Sequence, residues 1–455
     1  MDLITSAVVA AIEHGAPGHA PEAVASHYQR LKLAIAKFDS AAAILTAIAA
    51  LEAEAANTQL QLALSAALSA AKVPDDMETL FAAQGLLDAL RPPVALPPAA
   101  PAAPATQTAQ TAPAPADKSA VVSNYAVVKV YFATDRQRDV GKPPAQRFSG
   151  ERNVMGGNGP LSYGSCDISI PRDHRMGQLE SPSLWRLEFR DDPAKHVVVL
   201  SADVQDRDNF FAALKTQIRA SAGKSAFIFV HGYNVSFEDA ARRTGQMAYD
   251  LGFDGAPVFY SWPSRGEVAS YTIDENNIEW STPHITAFLG DFLASTEAAQ
   301  VYLVGHSMGS RGLARAVADL LAAQPQLAQK ITEIILSAPD IDAAIFKQDI
   351  APKLAGARNP VTLYASSQDL ALAASKAVHG YARAGDSGAG MLIVAGVETI
   401  DATGVDTSFM KHSYFAEKRS ALSDMFYLIR NHARADQRFL EPVDTAAGRY
   451  WTFKP

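Results

Sequence analysis

Gly305-His306-Ser307-Met308-Gly309 sets a serine between two glycines, with the spacing G-x-S-x-G. Val301 to Val304 before it form a short apolar run, and Ser310 to Ala323 after it have helical spacing. In that context the serine occupies a tight turn from a buried strand into a helix. Small flanking residues let such a turn close without clashes. The helix N-terminus favours negative charge where the hydroxyl emerges. A serine hydroxyl is a weak nucleophile until a base, oriented by a third group, takes its proton. The chemistry these residues suit is acyl transfer through Ser307.

Where such a turn belongs to a parallel sheet, the partners follow in the order serine, acid, histidine. Asp369 lies just past the apolar run Val361–Ser366, where a carboxylate can fix a histidine tautomer and stabilise its imidazolium. Asp369 also suits a helix N-cap, and Asp340 and Asp342, one strand earlier, are rival acids. His412, in a loop before the final helical segment, is the expected base. His379 and His432 lie on helical segments and suit that placement less well. An oxyanion needs two preorganised N–H donors. Met308 offers one, and the loop His231-Gly232-Tyr233-Asn234 offers the other, through Tyr233 first and Asn234 second. His231, Asn234, Trp262 and Tyr271 are candidate walls of a substrate pocket, whereas Phe259 suits core packing.

The elements that must position these groups begin near Val121. Val127–Phe132, Cys166–Ile170 and His196–Leu200 read as strands. A regular alternation follows: strand Ala226–Val230, helix Ser236–Leu251, strand Pro257–Ser261, helix His284–Ser295 and strand Gln300–Val304. Helix Ser310–Ala323, strands Ile331–Ser337, Val361–Ser366 and Met391–Ala395, and a helix from about Ala416 to Asn431 complete it. Such alternation predicts a mainly parallel sheet covered on both faces, with the site at the carboxyl ends of its strands. Asp274, Glu275 and Glu279 fall in an excursion, Gly266–Pro283, that suits a small lid or, better, a solvated charged face.

Residues 1–91 are alanine- and leucine-rich. Val24, Tyr28, Leu31, Ile35 and Phe38 form one apolar stripe, and helical segments follow at Ala41–Ala56, Gln59–Lys72 and Asp76–Leu90. An all-α bundle is expected there, similar to the helical adaptor modules fused to bacterial effector enzymes, which implies a protein partner. Residues 92–120, rich in Pro, Ala and Thr, read as a semi-rigid linker, leaving 121–455 as the second domain.

The second domain resembles a bacterial α/β-hydrolase family of unknown function, an esterase-like group. The likeness runs from about Val127 to Ile429 through HGYN at His231–Asn234, SWPS at Ser261–Ser264 and GHSMGS at Gly305–Ser310. It continues in APDID at Ala338–Asp342, YASSQDLAL at Tyr364–Leu372 and HSYF at His412–Phe415. The resemblance implies an α/β-hydrolase fold with a mainly parallel central sheet, and a triad of Ser307, Asp369 and His412. It names no substrate.

The 455 residues are 48% hydrophobic and 19% charged, the balance of an ordinary globular chain. A net charge of −8, with no basic cluster interleaved with aromatics, argues against nucleic-acid binding. Cys166 is the sole cysteine, so neither an intramolecular disulfide nor a cysteine-based zinc site is available. No metal-ligand spacing or phosphate-cradling glycine motif occurs, and no metal or cofactor is expected. The N-terminus lacks the basic stretch of a signal peptide, and no apolar run approaches the ~20 residues of a membrane span. A cytoplasmic location is the expectation. The reading that results is a serine hydrolase of small-molecule or lipid carboxylic esters, thioesters included. Its alternatives are a serine peptidase of the same fold and an adaptor or assembly protein with an idle hydrolase fold.

Overall fold

The structure, a computed structural model, describes most of residues 3–71 and 124–454, with positions 79, 83 and 86. The longer stretches outside the description are 16–21, 72–78, 87–123, 182–190 and 406–420, so the expected linker and most of the expected helix Asp76–Leu90 lie outside it. The chain divides into two units, Met1–Ser123 and Asn124–Pro455.

In the first unit, helices Leu3–Glu13, Glu22–Ile35, Ala41–Ala53 and Thr58–Ala70 pack around one apolar cluster. Val24, Tyr28, Leu31 and Ile35 of the expected stripe are buried in it, with Ile4, Val8, Ile44, Ile48, Leu51, Leu64 and Leu68. Phe38 packs at its edge. The Tyr28 hydroxyl donates to Glu52 Oε1 at 2.9 Å, and Lys32 pairs with the same oxygen at 3.1 Å. The Tyr28 phenol thereby satisfies its polar end without leaving the core.

The described residues of the second unit contain thirteen strands. They are β1 (Tyr125–Thr134), β2 (Arg136–Arg138), β3 (Phe148–Arg152), β4 (Ser162–Pro171), β5 (Val198–Gln205) and β6 (Ser225–Val230). Next come β7 (Ala256–Ser261), β8 (Gln300–His306), β9 (Ile331–Ser337), β10 (Val361–Ala365), β11 (Val397–Asp401), β12 (Leu440–Thr445) and β13 (Gly448–Phe453). All but β2 and β3 form one sheet, in the order β12-β13-β11-β10-β9-β8-β6-β7-β1-β4-β5. Pairing is parallel from β13 across to β1; β12, β4 and β5 join by antiparallel pairs. Strands β6 to β9 are buried almost throughout, as strands covered on both faces must be. One face carries an aromatic cluster in which Phe132 meets Phe237 edge-on at 5.0 Å and Phe148 at 5.4 Å. Over the sheet lies the helix Met308–Ala323, which buries Leu313, Ala316, Val317 and Leu320.

Several expected boundaries are corrected. The apolar run Met391–Ala395 is not a strand; the strand is Val397–Asp401, after a turn closed by Val397 N–H to Val394 O at 3.1 Å. From Tyr271 onward the expected excursion Gly266–Pro283 is the first half of a helix, Tyr271–Ser295, with Pro283 inside it. A proline within a helix costs about 3 kcal/mol. Here the buried stripe Ile278, Ser281, Ile285, Phe288, Leu289 and Phe292 continues across it, and packing outweighs the lost hydrogen bond. Asp274 on that helix is fully buried, not solvated. Helix Arg207–Ala220 and strands β12 and β13 were not foreseen.

A buried triad ties the end of helix Phe237–Asp250 to the segment after β4. His174 Nδ1 meets Glu180 Oε2 and Nε2 meets Asp250 Oδ1, both at 2.8 Å. Burial opposes charge on this ring, yet the hydrogen bonds to Asp250 and Glu180 and their charges outweigh it and lift His174 to about 9. The unfolded reference is about 6.5, so the folded chain holds a proton that the unfolded chain releases between these values. This contribution to stability, on the order of 3 kcal/mol, is complete below pH ~6.5 and lost as pH rises through about 9. In thermal melts from pH 6 to 10, wild type should exceed His174→Gln most at the acid end, the gap closing towards pH 10. A constant gap would contradict the ion triad.

Candidate active site

Ser307 follows β8 and precedes the helix Met308–Ala323, with φ 48° and ψ −123°. A non-glycine residue there costs on the order of 1–3 kcal/mol and persists only where its surroundings enforce it. They do. The Ser307 N–H donates to Ser337 O at 2.9 Å, and its carbonyl accepts from Ser310 N at 3.0 Å and Asp340 N at 3.2 Å. A Cβ on Gly309 would lie 2.0 Å from His231 O, and one on Gly305 would lie 2.8 Å from Ser310 Cα. The flanking glycines are therefore required by backbone contact. Ser307 is 9% exposed, and Met308 opens the helix, where an N–H has no intrahelical acceptor.

The loop after β6 lies against this elbow: a Cβ on Gly232 would sit 3.1 Å from Ser307 Cβ. The loop is pinned at each residue around it. Trp262 Nε1–H donates to His231 O at 2.7 Å, and the two rings stack at 5.1 Å. Val235 N donates to Ser264 Oγ at 3.1 Å, and Asn234 N points to Asp274 Oδ2 at 3.4 Å. Asn234, at φ 58°, is thereby turned to Asp274. The Ser264 hydroxyl donates to the same Asp274 carboxylate at 2.6 Å, and Arg265 N does so at 2.9 Å. Burial still raises Asp274 above the usual carboxylate range, against those hydrogen bonds.

Arg136, fully buried, underlies the loop. Its Nε donates to Ser261 Oγ (2.7 Å), Nη1 to Ser149 O (3.1 Å) and Ser264 O (2.9 Å), and Nη2 to Val235 O (2.7 Å). Nη2 also lies 3.3 Å from His231 Nε2. Burial, then the charge of Arg136, holds the His231 imidazole well below its ordinary pKa. His231 is thus a neutral spacer. The His231 and Trp262 side chains are both fully buried, so neither lines an open pocket as expected; both hold the loop after β6 in place.

At the carboxyl end of β10, Asp369 is half-buried and accepts from Leu372 N at 3.1 Å. Its rivals are otherwise engaged. Asp342 caps a helical turn, accepting from Ala344 N and Ile345 N. The Asp340 carboxylate accepts from Tyr271 and Ser375 hydroxyls and pairs with Arg383 and Arg311. His412, the expected base, lies outside the described residues, as do Ser413, Tyr414 and Phe415. His432 contacts Gln300 at the start of β8, the opposite end of that strand from Ser307. Both nitrogens of His379 are engaged, Nε2 with Glu275 and Nδ1 with Ser375 O. His306, next to the serine, is held down to about 3 by burial and then by Arg243, and stays neutral. Tyr233 and Asn234 are half-buried; Tyr271 is nearly buried, its ring edge-on to Tyr233 at 5.3 Å.

Residues 206–431 match the family described as alpha/beta hydrolase of unknown function (DUF900). The second unit has the α/β-hydrolase fold, with a mainly parallel central sheet. Residues 1–95 match the Het-E N-terminal domain. No curated protein matches the chain. Similar solved structures include a predicted CIB-like hydrolase from Thermoplasma acidophilum, 16% identical over 46% of this chain and 86% of that one, TM-score 0.26. Carboxyl esterase 2 from Tuber melanosporum is 11% identical over 68% of this chain and 86% of its own, TM-score 0.29. Lipase B from Aspergillus fumigatus is 12% identical over 88% and 77%, TM-score 0.25.

Among the described residues of the hydrolase domain and the helical unit, no group of three or more His, Cys, Asp or Glu is placed to hold a metal ion. No described helix is long and apolar enough to cross a membrane. Arg136 is a residue of this region that sequence reasoning missed, and Asp274 one that it placed on a solvated face. Each is a buried charge whose partners lie on other elements, nine or more residues away, so no local spacing marks it.

Proposed function

We propose that the protein is a serine hydrolase of carboxylic esters, cytoplasmic, with Ser307 as nucleophile, His412 as base and Asp369 as the acid that orients it. His412 takes the Ser307 proton as Oγ attacks the ester carbonyl. The tetrahedral oxyanion rests on the N–H groups of Met308 and Tyr233. Its collapse breaks the C–O bond, and His412 returns the proton to the departing alkoxide. Water, deprotonated by His412, then cleaves the acyl-enzyme. A thioester or lipid ester fits the same sequence of steps. Residues 1–91 would recruit a protein partner to this domain.

The observation that carries the reading is the strained Ser307 elbow packed against Gly232, which brings a nucleophile, a helix N-terminus and the loop after β6 to one point. Asp369 is preferred as acid because it follows the later strand β10, and because Asp340 is held by Tyr271, Ser375, Arg383 and Arg311. The test is labelling with a fluorophosphonate probe. Wild type should label, whereas Ser307→Ala and His412→Ala should not, and ester turnover should fall at least 1,000-fold in both. A Ser307→Ala protein that still labels or still hydrolyses would refute the assignment. Folded wild type that never labels would favour the idle adaptor.

A further inference from the structure

We propose that Asp340 is a positioning residue, which holds the segment carrying Asp369 against the nucleophile elbow through Ser375. This rests on the proposed triad and deepens it. Ser307 follows β8 and Asp369 follows β10, so the turn after β9 is all that the sheet sets between them. That turn, Ala338 to Asp340, is bonded on both sides. Towards the nucleophile, Asp340 N–H donates to Ser307 O at 3.2 Å. Towards the acid, Ala338 N–H donates to Tyr364 O at 2.9 Å, and Gly385 N–H donates to Pro339 O at 3.0 Å. Gly385 O in turn accepts from Ser366 N at 2.8 Å, three residues before Asp369.

The Asp340 side chain supplies the remaining link. It is 2% exposed. Oδ1 accepts from Ser375 Oγ at 2.5 Å and lies 3.0 Å from Arg383 Nε. Oδ2 accepts from the Tyr271 hydroxyl at 2.6 Å and lies 3.5 Å from Arg311 Nη2. Arg311 Nε also donates to the Asp340 carbonyl at 2.9 Å. One hydroxyl donates to each carboxylate oxygen, and two guanidinium groups lie against the same pair of oxygens. Asp340 is thus committed to Tyr271, Ser375, Arg383 and Arg311, and it acts through them. Ser375 belongs to the acid's own segment, six residues beyond Asp369, whose Oδ1 accepts from Leu372 N. Arg311 belongs to the nucleophile helix and Tyr271 to the helix beside it. One buried carboxylate thus spans the nucleophile and the acid, and a serine–acid spacing that drifts by even 1 Å can cost about 100-fold in rate.

Ser375→Ala tests this with the least disturbance, since Asp340 keeps Tyr271, Arg383 and Arg311. Arg383 Nε, which loses Ser375 Oγ as acceptor at 2.7 Å, still lies 3.0 Å from Asp340 Oδ1. In the full-length chain, the second-order rate of fluorophosphonate labelling should fall about five- to twentyfold, with the melting temperature changed by under ~3 °C. The acid limb of the labelling–pH curve should move to lower pH, because a less well-held Asp369 supports the imidazolium less. In an Asp369→Asn background the same substitution should cost less than about twofold, since the residue it acts through is gone. Asp340→Asn should show the same non-additivity if it folds; the Ser375 cycle does not depend on it. Equal losses in both backgrounds, or wild-type labelling by Ser375→Ala, would overturn the positioning role alone. Folded wild type that never labels would overturn both this role and the hydrolase reading beneath it.

Discussion

Alanine at Gly309 is expected to abolish fluorophosphonate labelling while a similar change one turn along the same helix does not. The new Cβ would sit 2.0 Å from His231 O and 2.6 Å from Val230 O, both backbone atoms of the neighbouring strand end. His231 O cannot retreat freely, because Trp262 donates to it at 2.7 Å. Relief requires the helix N-terminus and the loop after β6 to part by about 1 Å or more, and these are the two elements that would supply Met308 and Tyr233 N–H groups. An oxyanion hole stretched by that distance loses at least about 100-fold in rate. The overpacking should also cost roughly 1–3 kcal/mol. Gly312→Ala is the control. Its Cβ would meet Ile278 Cδ1 at 2.5 Å, the far end of a side chain that can turn away. That variant should melt somewhat lower yet label within about threefold of wild type. Equal labelling of Gly309→Ala and Gly312→Ala would show that the elbow tolerates displacement, and would remove the geometric basis of the proposed oxyanion hole.

The difference between those two glycines shows which parts of the molecule could be read from sequence. Ala226–Val230, Gln300–Val304 and Ile331–Ser337 were legible because strands buried on both faces appear as unbroken apolar runs. G-x-S-x-G was legible because the elbow constrains residue size at fixed offsets from Ser307. Met391–Ala395 misled because an apolar run lies next to the strand rather than in it; Val361 pairs with Val397, and the ladder decides. Pro283 misled because the helix-breaking rule is local, whereas burial of Ile278, Ile285 and Phe288 is not. The C-terminal hairpin of β12 and β13 carries exposed polar residues and little alternation, and it is specified by pairing with β11. The buried charges are the extreme case. Asp274 reads locally as one of three acids on a solvated face. Only its contacts to Ser264, Arg265 and Asn234 reveal it as the anchor of the loop beside the nucleophile.

Arg136 carries that lesson into the second prediction, that Arg136→Met leaves the domain severely destabilised. The guanidinium serves Ser149 O, Ser264 O, Val235 O and Ser261 Oγ, acceptors drawn from β3, the loops after β6 and β7, and β7 itself. Methionine fills much of the volume and returns none of these bonds. Removing one side of a buried charged network costs about 3–5 kcal/mol, because the partners are left desolvated and unpaired. Asp274, whose charge is the first to counter the burial of Arg136, would lose that compensation as well. Burial holds the arginine down to about 10, so it remains a cation at neutral pH, and the loss is electrostatic as well as geometric. A drop of roughly 6–15 °C in melting temperature is expected for a domain of this size. Arg136→Lys should recover little of it, since an ammonium cannot reproduce the planar fork that reaches carbonyls on opposite sides. Labelling of either variant below its melting point should also be slow, because Val235 O is the pin at the far end of the His231–Asn234 loop. A melting temperature within about 2 °C of wild type for Arg136→Met would mean that the loop is held by Trp262 and Asp274 alone.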